Sequence, residues 1–269
     1  MIKLIALDLD GTILHEDMTI SPRVRQTLLA AMTQGICVTL ASGRGYSSMR
    51  RWARELGIAT PVISYQGATI TDVASEHPIY ERTFPVSLVP ELRDFARERD
   101  LSLTLYEDDC IYVEHKREPD DFYIKWFGLP FRVVPDLAAA VTRRPTKFLI
   151  IGQEPKLDAL RPEVERHFGT RMQIMRSYIY FLEGLPLGAD KGTALAWLAE
   201  RLGIRREETM ALGDSGNDTA MVTWAGTGVA MGNATAEVKQ VAQYIAPTIH
   251  EDGAAEAIER FCHLSVDTR

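Results

Sequence analysis

The chain has 269 residues, 46% of them hydrophobic and 25% charged, with a net charge of −7; this is a globular composition with room for one large domain or two modest ones. The acidic balance excludes a general nucleic-acid binder, which carries a basic face. No apolar run approaches a membrane span, and Asp8 and Asp10 break the N-terminal run before a signal-peptide core forms, so neither a membrane partner nor a leader is expected.

The first predicted element is a strand. Ile2, Leu4, Ile5, Ala6 and Leu7 form the apolar run of a strand buried on both faces, and it ends in Asp8-Leu9-Asp10-Gly11-Thr12. Carboxylates at the end of a buried strand need something to stabilise their charge. Spaced two apart in extended chain, Asp8 and Asp10 face the same way, and Gly11 lets the chain turn. A Mg²⁺ site containing a nucleophile and an acid/base meets those requirements; taken alone, the pattern also suits an ordinary turn with solvated acids. Ser21-Pro22 then opens a helix carrying Val24, Leu28, Ala31 and Met32, closed by Gly35. Ile36–Ala41 is a second strand, ending in Ser42-Gly43-Arg44-Gly45, and a helix with Met49, Trp52, Ala53 and Leu56 follows to Gly57. Pro61–Tyr65 is a third strand, leading into Gln66-Gly67-Ala68. This βαβαβ order predicts a parallel sheet with right-handed crossovers.

From about Phe84 to Leu182 the pattern changes. A helix over Leu88–Arg99 precedes a hairpin, Ser102–Tyr106 and Cys110–Glu114, turning at Glu107-Asp108-Asp109. A helix is expected around Asp120–Phe127, then apolar runs at Phe131–Val134 and Lys147–Ile151, a helix over Lys156–Phe168, and strands near Met172–Met175 and Ile179–Leu182. Short adjacent strands mixed with helices indicate an inserted antiparallel α/β module. Its connections are placed at Thr83-Phe84-Pro85 and Glu183-Gly184-Leu185-Pro186, where Gly and Pro suit a hinge.

The first pattern returns at Asp190, with a helix marked by Ala194, Leu195, Leu198, Ala199 and Leu202. Thr209–Leu212 is a strand ending in Gly213-Asp214-Ser215-Gly216-Asn217-Asp218; a helix, the strand Gly228–Met231, a helix through Val238 and Val241, the strand Tyr244–Ala246 and a last helix Ala254–Phe261 follow. The expected architecture is α/β: a doubly wound, Rossmann-like parallel-sheet core from residues 1–83 and 184–269, with an inserted α/β cap domain at 84–183. Cys37, Cys110 and Cys262 are odd in number and set in apolar patterns, as in reduced cytoplasmic proteins. The six histidines lack zinc-ligand spacing.

Asp8/Asp10, Ser42/Gly43 and Asp214/Asn217/Asp218 follow strands, and ligands of open parallel sheets bind at the carboxyl ends of strands. Lys191 sits in a helix's first turn, where its charge opposes the macrodipole; an anion sharing the site accounts for it, as does plain surface exposure. Ser42-Gly43 at a helix entrance offers a hydroxyl and free N–H groups to a phosphate. Asp214 and Asp218 equally suit an N-cap and a first-turn acid.

In order, Asp8-Leu9-Asp10-Gly11-Thr12, Ser42-Gly43-Arg44, Lys191-Gly192 and Gly213-Asp214-Ser215-Gly216-Asn217-Asp218 resemble the four motifs of the haloacid dehalogenase superfamily. Gly228-Val229-Ala230-Met231-Gly232-Asn233-Ala234 and Glu251-Asp252-Gly253 are similar to its Cof-type, or IIB, phosphatase branch, and the insertion between motifs two and three resembles the C2 cap. The resemblance implies a phosphoric monoester hydrolase in which Asp8 attacks phosphorus and Asp10 is the general acid and base. It implies Mg²⁺ held by Asp8, the Asp10 backbone carbonyl and Asp214. Ser42, Gly43, Lys191 and Asn217 would bind the phosphorylated substrate, Asp218 would orient Lys191 or a metal-bound water, and Thr12 would support the first loop; Arg44 is a further candidate for the substrate, though with Arg50, Arg51 and Arg54 nearby it equally suits a solvated helix face. The expected function is a cytoplasmic, Mg²⁺-dependent phosphatase of small phosphorylated metabolites, foremost sugar phosphates; the rivals are a phosphosugar mutase and a non-catalytic phosphate-binding regulator. Two departures stand out: Gln66-Gly67-Ala68 where the branch usually has Asn-Gly-Ala, and Leu187-Gly188 where many relatives have Lys-Gly.

Overall fold

The N-terminal apolar run forms β1 (Leu4–Leu7), buried at every residue. In the computed structural model, which describes residues 1–119, 122, 128 and 131–264, β1 is the middle of a parallel sheet. Ser21 caps α1 (Pro22–Thr33) by accepting from the Val24 N–H, and β2 (Cys37–Leu40) and α2 (Tyr46–Glu55) follow. Next come β3 (Val62–Ser64), β4 (Thr69–Thr71) and β5 (Pro78–Glu81), which form a three-stranded sheet in that order. The chain re-enters the parallel sheet after α6 (Lys191–Arg201), through β12 (Thr209–Gly213), α7 (Thr219–Trp224), β13 (Thr227–Ala230), α8 (Ala236–Val241), β14 (Tyr244–Ile245) and α9 (Gly253–Cys262).

The strand order is β14-β13-β12-β1-β2, parallel throughout, with a further parallel bridge from Ala41 to Ile63. Register decides which residues share an edge. Leu7 lies opposite both Leu40 and Leu212, so the residues after all three strands emerge at one edge: Asp8, Ser42 and Asp214. The Rossmann-like α/β fold class read from the sequence is the one observed. β4 and β5 were not expected; each is only three or four residues long, too short to leave a period in the sequence.

By contacts the chain divides into two units, Met1–Gly43 with Met49–Ile79 and Asp190–Arg269, and Arg44–Ser48 with Tyr80–Ala189. The second holds α3 (Leu88–Glu98), β6 (Ser102–Glu107), β7 (Cys110–Val113), β8 (Phe131–Val133), α4 (Leu137–Ala140), β9 (Pro145–Ile151), α5 (Glu154–Phe168), β10 (Met172–Tyr178) and β11 (Phe181–Pro186). Its sheet runs β10-β11-β9-β6-β7-β8, and one face packs with the helices around Phe95, Leu105, Phe148 and Phe168. The helix expected around residues 120–127 lies outside the described residues.

Glu183-Gly184-Leu185-Pro186 is not a connection but the body of β11, paired with β10 and β9, while Ile179 and Tyr180, read as strand, form the preceding turn and are exposed. Gly184 stands there for packing: a Cβ would fall 1.9 Å from the Phe148 ring. None of the described helices is long and apolar enough to cross a membrane, and the three cysteines are free.

Candidate active site

β1 ends at Leu7, and the chain then turns: the Leu9 carbonyl accepts from the N–H groups of Thr12, Ile13 and Leu14. Strand alternation therefore stops before Asp10, and the two acids do not share one environment as extended geometry suggested. Asp8 is 5% exposed, whereas Asp10 is exposed. Gly11 makes the turn at φ +86°, with Asp214 so close that a Cβ would lie 2.5 Å from its Oδ2; only glycine fits both demands.

Carboxylate oxygens of Asp8, Asp214 and Asp218 lie within 4.8 Å of one another. Lys191, the first residue of α6 and completely buried, donates to Asp8 Oδ1 and to Asp218 Oδ1, each at 2.6 Å. Surface exposure thus does not account for this lysine. Asp190 caps its helix by accepting from Thr193 N–H. Asp218 spends its other oxygen on the N–H groups of Asp214 and Ser215, each at 3.0 Å. Both of its oxygens being bonded, it braces the loop and the lysine. Asp214 receives weaker support from Thr12 at 3.4 Å and Ser215 at 3.2 Å.

Three carboxylates against one ammonium leave two negative charges in a buried space, which is costly without a counter-charge. Burial, then the charge of Asp218, pushes the Asp8 carboxyl well above its ordinary value. The same causes raise Asp214 to about 7. Burial opposes the charge on Lys191, but Asp218 and Asp8 outweigh it and hold the ammonium protonated above the usual lysine value. A hard divalent cation, which prefers carboxylate oxygens, would cancel the surplus. Asp10's carboxylate does not belong to the three-acid group.

Ser42, 2% exposed, has its N–H on the Ile63 carbonyl and its own carbonyl on the Gln66 N–H, each at 3.0 Å. Arg44 groups by its contacts with the second unit, whereas the other expected residues all belong to the first. Asn217 donates from Nδ2 to Gln66 Oε1 at 2.9 Å. Gln66 is 3% exposed and follows Tyr65 in the left-handed region, at φ 58° and 50°. For residues other than glycine, that backbone costs on the order of 1–3 kcal/mol each and marks places held by their surroundings. The sequence marked Gln66 only as a departure from pattern. It also missed Asn233, which donates to the Gly11 carbonyl at 2.8 Å and accepts the Ile249 N–H at 2.9 Å, tying the first loop to the last. Its only signal was membership of the Gly-Val-Ala-Met-Gly-Asn segment.

Residues 5–258 match the family model described as haloacid dehalogenase-like hydrolase. The 5-amino-6-(5-phospho-D-ribitylamino)uracil phosphatase YcsE of Bacillus subtilis (strain 168) is 32% identical over 266 residues, covering 97% of this chain and 96% of that protein. A haloacid dehalogenase-like hydrolase from Bacteroides thetaiotaomicron superposes with a TM-score of 0.88 at 38% identity, covering 97% of this chain and 100% of that one. The HAD subclass IIB sugar phosphatase BT4131 gives a TM-score of 0.79 at 26% identity, with 97% and 100% covered.

Proposed function

The chain belongs to the haloacid dehalogenase-like hydrolase family and is a phosphoric monoester hydrolase; from that premise we propose that it hydrolyses sugar phosphates and related small polyol phosphates through an aspartyl phosphate on Asp8, with Mg²⁺. The observation that carries this reading is the Lys191 ammonium shared between Asp8 and Asp218. It occupies one oxygen of Asp8, while among the described residues none hydrogen-bonds the other, Oδ2, which is left to attack phosphorus. The reading of substrate class is supported by YcsE, whose named substrate carries a phospho-D-ribityl chain, and by the sugar phosphatase BT4131.

In this mechanism Asp8 displaces the alkoxide, and the phosphorus–oxygen bond to the leaving group breaks as the bond to Asp8 forms. Asp10, exposed beside the turn, gives its proton to the departing oxygen and then takes one from the water that hydrolyses the acyl phosphate. Ser42 and the Gly43 backbone hold the phosphoryl oxygens, with Asn217 beside them. Arg44, next to Gly43 in the chain, would add a cationic contact to the substrate. Lys191 balances charge on Asp8 and the phosphoryl group, and Asp218 keeps it in place. Asp8, Asp214 and the Asp10 carbonyl would hold Mg²⁺, which when bound neutralises phosphoryl charge. The inserted segment, 84–183, selects the substrate.

Asp8→Asn tests the reading. It keeps size and shape but removes the attacking anion. With Mg²⁺ present, the wild type should release phosphate from p-nitrophenyl phosphate and from several sugar phosphates, and the variant from none. A variant keeping more than about a tenth of wild-type kcat, roughly 1.4 kcal/mol of barrier, would exclude Asp8 as the nucleophile. Isomerisation of a sugar phosphate without net phosphate release would establish a mutase instead.

A further inference from the structure

We propose that Gln66 binds the transferring phosphoryl group directly, its Nε2 amide donating a hydrogen bond to a phosphoryl oxygen beside Ser42 and Gly43. The inference rests on the phosphatase reading above and adds a contact that the four motifs do not contain.

The orientation of the amide follows from its partner. Asn217 Nδ2 donates to Gln66 Oε1 at 2.9 Å, so the Gln66 nitrogen faces away from Asn217. It faces the Ser42-Gly43 loop: a Cβ placed on Gly43 would lie 2.5 Å from Nε2. Turning both amides over would keep their mutual bond but present an acceptor oxygen to a loop whose ligand is an anion. With Nε2 toward the loop, an amide donor faces the place where negative charge is to be bound, and among the described residues no acceptor takes it. The residue is 3% exposed overall, yet Nε2 is not among the buried atoms that lack a partner: it opens to solvent, where a phosphoryl oxygen can replace water as its acceptor.

The backbone makes the placement rigid. Gln66 N–H is bonded to the Ser42 carbonyl at 3.0 Å, so side chain and main chain are tied to the same loop. Tyr65, Gln66 and Gly67 run through three successive positive φ values, 50°, 58° and 95°. Tyr65 and Gln66 hold a backbone that is costly for residues other than glycine, so their surroundings fix the turn. A tetrahedral phosphoryl group has oxygens for the Ser42 hydroxyl and for a second neutral donor across Gly43.

The test uses inorganic phosphate, the product common to every substrate, as a competitive inhibitor of the Mg²⁺-loaded enzyme. Gln66→Glu keeps an oxygen to accept from Asn217 but replaces the donor with an anion. It should raise the inhibition constant for phosphate at least 30-fold at pH 7.5, in protein shown to be folded by circular dichroism, and the loss should ease toward pH 5 as the new carboxyl takes up a proton. Gln66→Met, which removes the donor without adding charge, should weaken phosphate about tenfold and show no such pH dependence. Because an anion near the loop repels phosphate even without contact, Gln66→Met is the deciding variant: phosphate inhibition within threefold of wild type there would overturn the proposal whatever Gln66→Glu does. If Gln66→Met does not fold, Gln66→Leu takes its place as the uncharged variant, read against the same threefold limit. Activity of wild type and inactivity of Asp8→Asn in the same preparations separate this failure from a failure of the phosphatase reading, in which Asp8→Asn would retain turnover.

Discussion

Lys191 stands in the first turn of α6, where a cation works against the helix dipole by roughly 0.3–1 kcal/mol, and its side chain is wholly buried. Two charge-assisted bonds of 2.6 Å reverse that penalty, so a locally unfavourable residue marks the centre of the site. Asp10 presents the opposite case: an exposed acid just outside the buried cluster, suited to exchanging protons with a leaving group and with water. Asp10→Asn should slow turnover of alkyl phosphates by about 10²–10⁴-fold. The loss should be much smaller for p-nitrophenyl phosphate, whose leaving group needs little protonation. Equal losses of kcat on both esters would contradict the acid role.

Within the sheet of the second unit, Lys147 on β9 and Glu183 on β11 form an ion pair at 2.9 Å, with side chains 6% and 4% exposed. Ser177 also donates to Glu183 Oε1, and the ammonium lies 5.2 Å from the centre of the Tyr106 ring. Desolvating two charges offsets much of their attraction, so the pair contributes little net stability, but stranding one partner is expensive. Lys147→Met alone should destabilise by about 3–5 kcal/mol, and the double variant Lys147→Met/Glu183→Leu should recover most of that. Urea denaturation of the single and double variants checks this; losses that simply add would show that the two side chains are not coupled. The same β11 shows how Gly and Pro mislead when read as breakers. Gly184 makes room for the Phe148 ring, and Pro186, the strand's last residue, lies beyond the pairing with β9, which ends at Gly184.

For the molecule as a whole, the acidic cluster couples stability to pH and to metal. The Asp214 carboxyl titrates at about 7 in the folded chain, against an ordinary 3.8, so the folded state prefers it protonated. That contribution is complete below about pH 4 and is lost as pH rises through 7; the raised Asp8 acts in the same direction. In EDTA, Asp214→Asn should therefore be stabilised relative to wild type at pH 8 more than at pH 5. Mg²⁺ should raise the melting temperature of wild type, since a ligand at a hundred times its Kd adds about 2.7 kcal/mol, and the rise should grow with pH as the proton leaves the ligand oxygen. Asp214→Asn should lose most of that response. A metal effect equal in both proteins, or shrinking toward pH 8, would place the metal elsewhere.

The sequence by itself determined the parallel sheet and the edge where Asp8, Ser42 and Asp214 emerge, because buried strands leave continuous apolar runs and chain direction alone decides which end of each is the carboxyl end. The positions after β1, β2 and β12 were therefore legible as neighbours, and so was the change of pattern in the inserted segment. What each side chain meets was decided only by the tertiary structure. Lys191 joins Asp8 from 183 positions away, Asn217 joins Gln66 from 151, and Asn233 reaches the Gly11 carbonyl from 222. Periodicity records which face of an element is buried, not which atoms lie against it. The three-residue strands, the left-handed step at Tyr65-Gln66 and the register of β11 are likewise consequences of packing, where a neighbouring ring or carboxylate outweighs the local preference of the chain.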